Sequence, residues 1–232
     1  MIFFVIVQKT MKIIFPDLTY NNEVPLLINS AKMQKSISGI QTILNRLGYY
    51  TNADELFKNN PDDYASALAK IENTIKLLID DYKKSKSDDK LLAIFHHIHF
   101  WGGITGRNIY IRNGGFENNF NIDTYKKIVE KTIHLKQQTL NEDLKQIADW
   151  FMSIPQLGVA FGTKHLRFWS INANENKIEL PVLDSILAIR LLYKCNPTWK
   201  DYYSYVKQMQ DEAKNRNITV TKLERGLYNE FN

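Results

Sequence analysis

A chain of 232 residues with 44% hydrophobic and 24% charged residues is long enough to bury a substantial core and too apolar for wholesale disorder. Its formal charge of +5, from 30 basic and 25 acidic residues, admits an anionic partner such as nucleic acid but argues for one only weakly. The single cysteine, Cys195, excludes an intrachain disulfide and a four-cysteine iron–sulfur cluster, and its apolar neighbours predict a small buried residue.

Met1 to Val7 is apolar, yet it is too short to span a bilayer and lacks the basic start and cleavage site of a secretion signal. Residues 1–15 therefore read as a leader, an edge strand or an extension upstream of a start at Met11, and the cytoplasm is the expected compartment. Ser30 to Leu47 has helical spacing, with Ile37, Ile40, Ile43, Leu44 and Leu47 apolar and Gly48 placed to close it. Asn60-Pro61-Asp62-Asp63 is a helix start, because asparagine caps, proline suits the first turn and the aspartates suit the positive dipole end. Leu68, Ile71, Ile75 and Leu78 then mark one face, and Lys83, Lys84 and Lys86 finish the helix.

Lys90 to Trp101 is apolar nearly all round, which predicts a central helix ended by Gly102-Gly103. Asp123 to Lys136 and Asn141 to Met152 read as two amphipathic helices, the second capped by Asn141 with Glu142 and Asp143 in its first turn. Thr198 to Ala213 is another, and Thr221-Lys222-Leu223-Glu224 has capping-box form ahead of a short last helix. Strand candidates are few: Lys12 to Phe15, Thr19-Tyr20 and Asn108 to Ile111. With no repeat and no long linker, residues 16–232 read as one mostly α domain.

Between these helices, Pro155 to Arg190 is the most informative stretch. Leu157-Gly158-Val159-Ala160-Phe161-Gly162-Thr163-Lys164 is a glycine-punctuated turn that opens a helix with a lysine in its first turn. After a polar loop, Leu180-Pro181-Val182-Leu183-Asp184-Ser185 brings an aspartate to the start of the next helix, where it can cap Ser185 to Lys194. Lysine and aspartate are expected to face each other.

This arrangement resembles the catalytic core of the helix-hairpin-helix superfamily of DNA glycosylases, in which a hairpin carries a lysine and a Pro-Val-Asp step some twenty residues later carries an aspartate. It is similar to the archaeal 8-oxoguanine branch, through the run Val159 to Lys164, and to compact bacterial antiphage glycosylases. The resemblance implies two helical subdomains flanking a cleft, with the hairpin and catalytic helices at about 141–194. Two departures stand out: the hairpin lacks the Leu-Pro-Gly-Val-Gly form, and Leu183 is an extra residue between Pro181-Val182 and Asp184.

The resemblance implies that Lys164 is the nucleophile and Asp184 the stabilising carboxylate. A lysine attacks only when neutral, and a dry pocket or the first turn of a helix disfavours its cation. The ordinary alternatives are a surface lysine and a plain capping aspartate. Backbone N–H groups of Gly162 and Thr163 are expected to meet a phosphate, with His165 and Arg167 adding DNA contacts.

The second informative stretch is His96-His97-Ile98-His99-Phe100-Trp101-Gly102-Gly103-Ile104-Thr105-Gly106-Arg107. Of its three histidines only His96 and His99 share a helix face, and no cysteine or carboxylate partner accompanies them, so no metal is expected. Trp101, His99, Gly102 and Gly103, with Trp169, are candidates for the pocket of a flipped base, and Arg107 for its phosphates. The alternative for Trp101 and Trp169 is a place in the core.

The expected function is a cofactor-free, monomeric DNA glycosylase acting on double-stranded DNA that contains a modified base. The resemblance leans toward a phage-modified cytosine, glucosylated hydroxymethylcytosine, in antiphage defence; 8-oxoguanine in base excision repair, with or without a strand-nicking lyase step, is the alternative. A non-catalytic helical DNA-binding module is the competing class.

Overall fold

The computed structural model describes residues 12–16, 61–102, 121–155 and 157–231. The described residues form eight α-helices: α1 (Pro61–Ser85), α2 (Asp88–Trp101), α3 (Ile122–Ile133), α4 (Leu140–Met152), α5 (Val159–Ala173), α6 (Ser185–Leu192), α7 (Trp199–Asn215) and α8 (Val220–Phe231). A 3-10 turn, Gln137–Thr139, precedes α4, and no strand occurs among the described residues, in keeping with the mostly α expectation. The expected helix Ser30 to Leu47, the strand candidates Thr19-Tyr20 and Asn108 to Ile111, and residues 1–11 lie outside the described residues.

Periodicity and caps explain most of these elements. On α1 the buried face is Ile71, Ile75, Ile79 and Tyr82, spaced three and four apart as one helical stripe requires. Lys86 ends it in the left-handed region (φ 52), its N–H donating to the Tyr82 carbonyl at 2.8 Å. The Asn121 side chain caps α3 by accepting from the Thr124 N–H, and Thr198 and Asp201 form a reciprocal capping box on α7.

Four local expectations are corrected. Lys12 to Phe15 is not a strand; it is an irregular segment pinned to α7, with the Ile13 N–H donating to Gln208 and Arg216 donating to the Pro16 carbonyl. Asn141 does not cap α4, because the helix starts at Leu140 and Thr139 holds the N-cap position. The Thr221–Glu224 capping box does not form, since α8 begins at Val220; Thr221 donates from its N–H and hydroxyl to Glu179 instead, and Glu224 turns into the core. Cys195 is exposed rather than buried, because α6 stops at Leu192 on a left-handed Tyr193 (φ 53) and carries the chain outward before α7.

Helix α5 is the pillar of the arrangement. Helices α1, α2 and α3 all pack on it, α1 and α2 lie along each other, and α4 packs on α3. On the other side, α7 contacts α4 and α8, and α8 contacts α6. Buried side chains from all eight helices form one continuous cluster. None of the described helices is long and apolar enough to cross a membrane.

Candidate active site

Helix α5 starts at Val159 behind Gly158, whose extended backbone holds the N-cap position without a capping side chain. The Gly158 carbonyl already accepts the N–H of Phe161 at 3.2 Å and of Gly162 at 2.9 Å. The leading N–H groups without an intrahelical partner are therefore those of Gly158, Val159 and Ala160. Gly162 and Thr163 are both buried and do not present their N–H groups to a phosphate as expected. Gly162 has a packing reason instead: a Cβ there would stand 2.7 and 2.8 Å from two atoms of the Trp199 ring.

The same register puts Lys164 in the second turn of α5, not the first. The helix dipole therefore does little to its charge, since that effect is confined to the first turn. Burial does the work. Lys164 is only 8% exposed, its Nζ lies 4.5 Å from the centre of the Phe161 ring, and its stem passes against Gly102. Dehydration pulls its pKa below the ordinary lysine value, opposed by the negative charges of Asp184 and Glu224. Its Nζ makes no hydrogen bond or ion pair among the described residues.

The segment between α5 and α6 runs back along α5 and carries Asp184 toward Lys164. The Leu180 N–H donates to the Ser170 hydroxyl at 3.0 Å, and the Leu183 N–H donates to the Thr163 hydroxyl at 3.1 Å. Two hydroxyls seven residues apart on one helix thus set an antiparallel register. Between these clips the Tyr202 hydroxyl donates to the Pro181 carbonyl at 2.9 Å, and the Val182 N–H donates to Glu224 Oε2 at 2.5 Å. The extra residue Leu183 is fully buried, so its side chain is absorbed by the core.

Asp184 then caps α6, its Oδ1 accepting from the Leu187 N–H at 3.0 Å. It is half-buried, and it acts on Lys164 through space without a direct ion pair. A carboxylate tied by one oxygen and a dehydrated amine nearby can share the work of stabilising a cation and attacking it. That pairing is what nucleophilic substitution at an electron-poor carbon requires.

The remaining candidates divide. His99, Trp101 and Gly102 stand beside Lys164 or its immediate neighbours. The His99 ring stacks between Phe95 (4.4 Å) and Phe161 (4.8 Å), and dehydration pushes its pKa well down, so it is neutral. A Cβ on Gly102 would lie 2.7 Å from Phe161 Cε1 and 3.2 Å from Lys164 Cδ, so this glycine provides close packing rather than an open pocket. Trp101 is half-buried, with its Nε1 donating to Glu72 at 3.1 Å. Gly103 and Arg107 lie outside the described residues.

His165, Arg167 and Trp169 are buried, which removes them from the surface and pocket roles expected of them. The Trp169 Nε1–H donates to the Tyr125 hydroxyl at 3.0 Å, and that hydroxyl lies 2.7 Å from His165 Nδ1. Burial lowers the His165 pKa to about 3, so the ring is a neutral core group. Arg167, 3% exposed, donates from Nε to Glu224 Oε1 at 3.0 Å and lies over the Trp101 and Phe168 rings. His97 meets its own backbone, Nδ1 lying 2.7 Å from the Ala93 carbonyl. The described residues contain no group of three His, Cys, Asp or Glu side chains placed to hold a metal.

Two residues of the site were missed from the sequence. Phe161 was legible, because it stands three residues before Lys164 and so shares its face. Glu224 was not, because its partners lie 57 and 42 residues away.

A family model described as "Putative 8-oxoguanine DNA glycosylase OGG-like protein" matches residues 75–228, from within α1 to within α8, and so takes in Lys164, Asp184 and Glu224. No curated protein and no solved structure matches the chain. With two thirds of its length matched, over the elements that bring the lysine and the aspartate together, the chain belongs to the OGG-like family of DNA glycosylases.

Proposed function

We propose that the chain removes a modified base from duplex DNA with Lys164 as the nucleophile and Asp184 as the charge-stabilising carboxylate. The observation that carries this reading is the dehydrated Lys164 amine, free of any bonding partner among the described residues, with Asp184 near enough to act on its charge. The duplex would lie in a cleft between two helical subdomains, and the protein would act as a monomer in the cytoplasm.

Flipping the target nucleotide costs a few kcal/mol and brings its sugar to the amine. Neutral Nζ attacks C1′ as the bond from C1′ to the base breaks, and the electron pair leaves with the base, which takes up a proton. The Asp184 carboxylate offsets the positive charge that builds on the sugar. The nitrogen now bound to C1′ loses a proton to solvent, the C1′–O4′ bond breaks with O4′ taking up a proton to leave an iminium, and water then adds to C1′ and releases an abasic site and the free lysine. Loss of a neighbouring sugar proton from the iminium is the route to strand nicking.

Among bases, the description of the matching family favours 8-oxoguanine. Glucosylated hydroxymethylcytosine, and with it a role in antiphage defence, is the second reading; the departure of the hairpin from the Leu-Pro-Gly-Val-Gly form favours it. Gly102 is packed against Phe161 and the Lys164 stem, so it adds no open space beside the amine for a bulky base.

The test is to incubate the protein with duplexes containing 8-oxoguanine, cytosine, hydroxymethylcytosine or glucosylated hydroxymethylcytosine, with and without borohydride. Base release together with a trapped protein–DNA adduct is expected from one modified duplex and is lost in Lys164→Gln. Release that survives Lys164→Gln would overturn the assignment of the nucleophile.

A further inference from the structure

Glu224 spends both carboxylate oxygens on the elements that carry the two reacting groups. Oε1 accepts from Arg167 Nε at 3.0 Å, and Arg167 stands one turn beyond Lys164 on α5. Oε2 accepts from the Val182 N–H at 2.5 Å, two residues before Asp184. The carboxylate comes from α8, which packs against α6 and α7 rather than against α5. It is nine-tenths buried, so neither bond is shared with solvent.

The network extends behind it. The other end of Arg167 approaches Glu72 of α1 at 3.7 Å, and Glu72 also accepts from Trp101 and pairs with Arg225 of α8. Trp101 precedes Gly102, which abuts the Lys164 stem. Helices α1, α2, α5 and α8 and the Val182 segment are thereby tied through two glutamates. A purely structural ion pair has no need to place one oxygen on the backbone beside Asp184 and the other on the helix of Lys164.

From this geometry we infer that Glu224 is a positioning residue for base excision, a strap that sets the separation of Lys164 and Asp184 and the field at the lysine. The inference rests on the reading of Lys164 and Asp184 as the reacting pair. The charges of Asp184 ahead of α6 and Glu224 on α8 act on Lys164, and Lys164 in turn acts on His165 of its own helix and His99 of α2. Both histidines are neutral, so the two carboxylates are the charges that oppose the effect of burial on the lysine.

Removing the Glu224 charge lowers the Lys164 pKa further, because that charge opposes the effect of burial. Glu224→Gln keeps the shape but can satisfy only one of Arg167 and Val182. Its kcat is expected to fall roughly 10–100-fold at nearly unchanged KM, the order of loss that a displacement of about 1 Å produces. The pH profile of borohydride trapping should shift toward lower pH. Glu224→Asp, which keeps the charge, should return the profile to that of the parent.

A structural role alone would lower the melting temperature while leaving the trapping midpoint of the folded fraction in place, and that outcome overturns the inference. If Glu224→Gln does not fold, amide exchange in the parent protein decides: the Val182 N–H is expected to be among the most protected amides outside the helices, and rapid exchange there overturns the strap. Lys164→Gln run in parallel separates the two levels. Trapping that persists in Lys164→Gln defeats the assignment of the pair, whereas trapping lost there with Glu224→Gln behaving as the parent defeats only the strap.

Discussion

Helix α5 buries two cations one turn apart, and they live differently. Arg167 is held by Glu224, approached by Glu72 and covered by the faces of two aromatic rings. Lys164 has one ring face, a glycine against its stem and no bonding partner among the described residues. A buried charge with partners is architecture, because desolvation is offset by fixed counter-charges. A buried amine that no such group contacts directly is driven toward its neutral, nucleophilic form. Burial alone does not mark a reactive group; burial without a bonding partner does.

Breaking the comparison at each end gives the largest effects. Lys164→Gln should abolish adduct trapping and slow base release by about 10³-fold or more, a loss of about 4 kcal/mol in transition-state stabilisation. Thermal melting at neutral pH should show the variant at least as stable as the parent, since no paired group is lost and a buried charge is removed. Arg167→Met should do the reverse, costing about 3–5 kcal/mol of folding stability because Glu224 is left buried without its cation. Denaturant titration measures this. A fully stable Arg167→Met would show that the network carries no architectural weight.

Asp184→Asn probes the other half of the pair. Asparagine caps helices as well as aspartate does, so stability should change by no more than about 0.5 kcal/mol. Single-turnover base release should nevertheless fall about 10²-fold, because the charge opposing the sugar cation is gone. Equal activity of the two would reduce Asp184 to a cap.

Two glycines on either side of the lysine sharpen the contrast between site and scaffold. Gly102→Ala drives a methyl into Phe161 and the Lys164 stem, and Gly162→Ala drives one into the Trp199 ring. Overpacking of this kind costs about 1–3 kcal/mol in each. Only Gly102→Ala should also lower kcat per folded molecule, by about tenfold, since only it displaces Lys164; an active-site titration by borohydride trapping distinguishes them.

The smallest effect is a slope. The folded-state pKa of Lys164 lies below the unfolded value, so in the window between the two the unfolded chain binds more protons. Stability should rise with pH across that window. Comparing the parent with Lys164→Gln by chemical denaturation should isolate this increment, which vanishes in the variant. Adduct trapping in the parent should rise with pH and level off below the ordinary lysine value.

Much of this was legible in the sequence, and the misread residues of the site share a cause. Ile71 and Ile75 on the α1 stripe, the helix that opens after Thr198 and the cap at Asp184 are local patterns, readable at spacings of three and four. The juxtaposition of Lys164 and Asp184 was readable from a motif. The misread site residues lie on a helix wrapped on all sides. On α5 nearly every side chain is buried, so His165, Arg167 and Trp169 look like a polar and aromatic surface only while their partners are out of view. Those partners, Tyr125 and Glu224, sit 40 to 57 residues away, and no local rule reaches them. Glu224 was hidden further by standing where a capping box would put a glutamate.

The two hydroxyl clips on α5 have a consequence for how such a chain can change over generations. The turn at residues 174–179 is held apart from the site, at the end of α3, with Asn174 donating to the carbonyls of Thr132 and Ile133 and accepting from the N–H groups of Asn176 and Ile178. It lies upstream of the Leu180–Ser170 clip. An insertion or deletion there stops at the clip and leaves the approach of Asp184 to Lys164 untouched. Even the additional residue Leu183 is taken up locally, its backbone held by Thr163. The number of residues separating lysine from aspartate is therefore free to drift, whereas the hydroxyls on the helix face are not. A pattern search built on fixed spacing would pass over descendants that retain the geometry, and one built on the serine and threonine seven residues apart would find them.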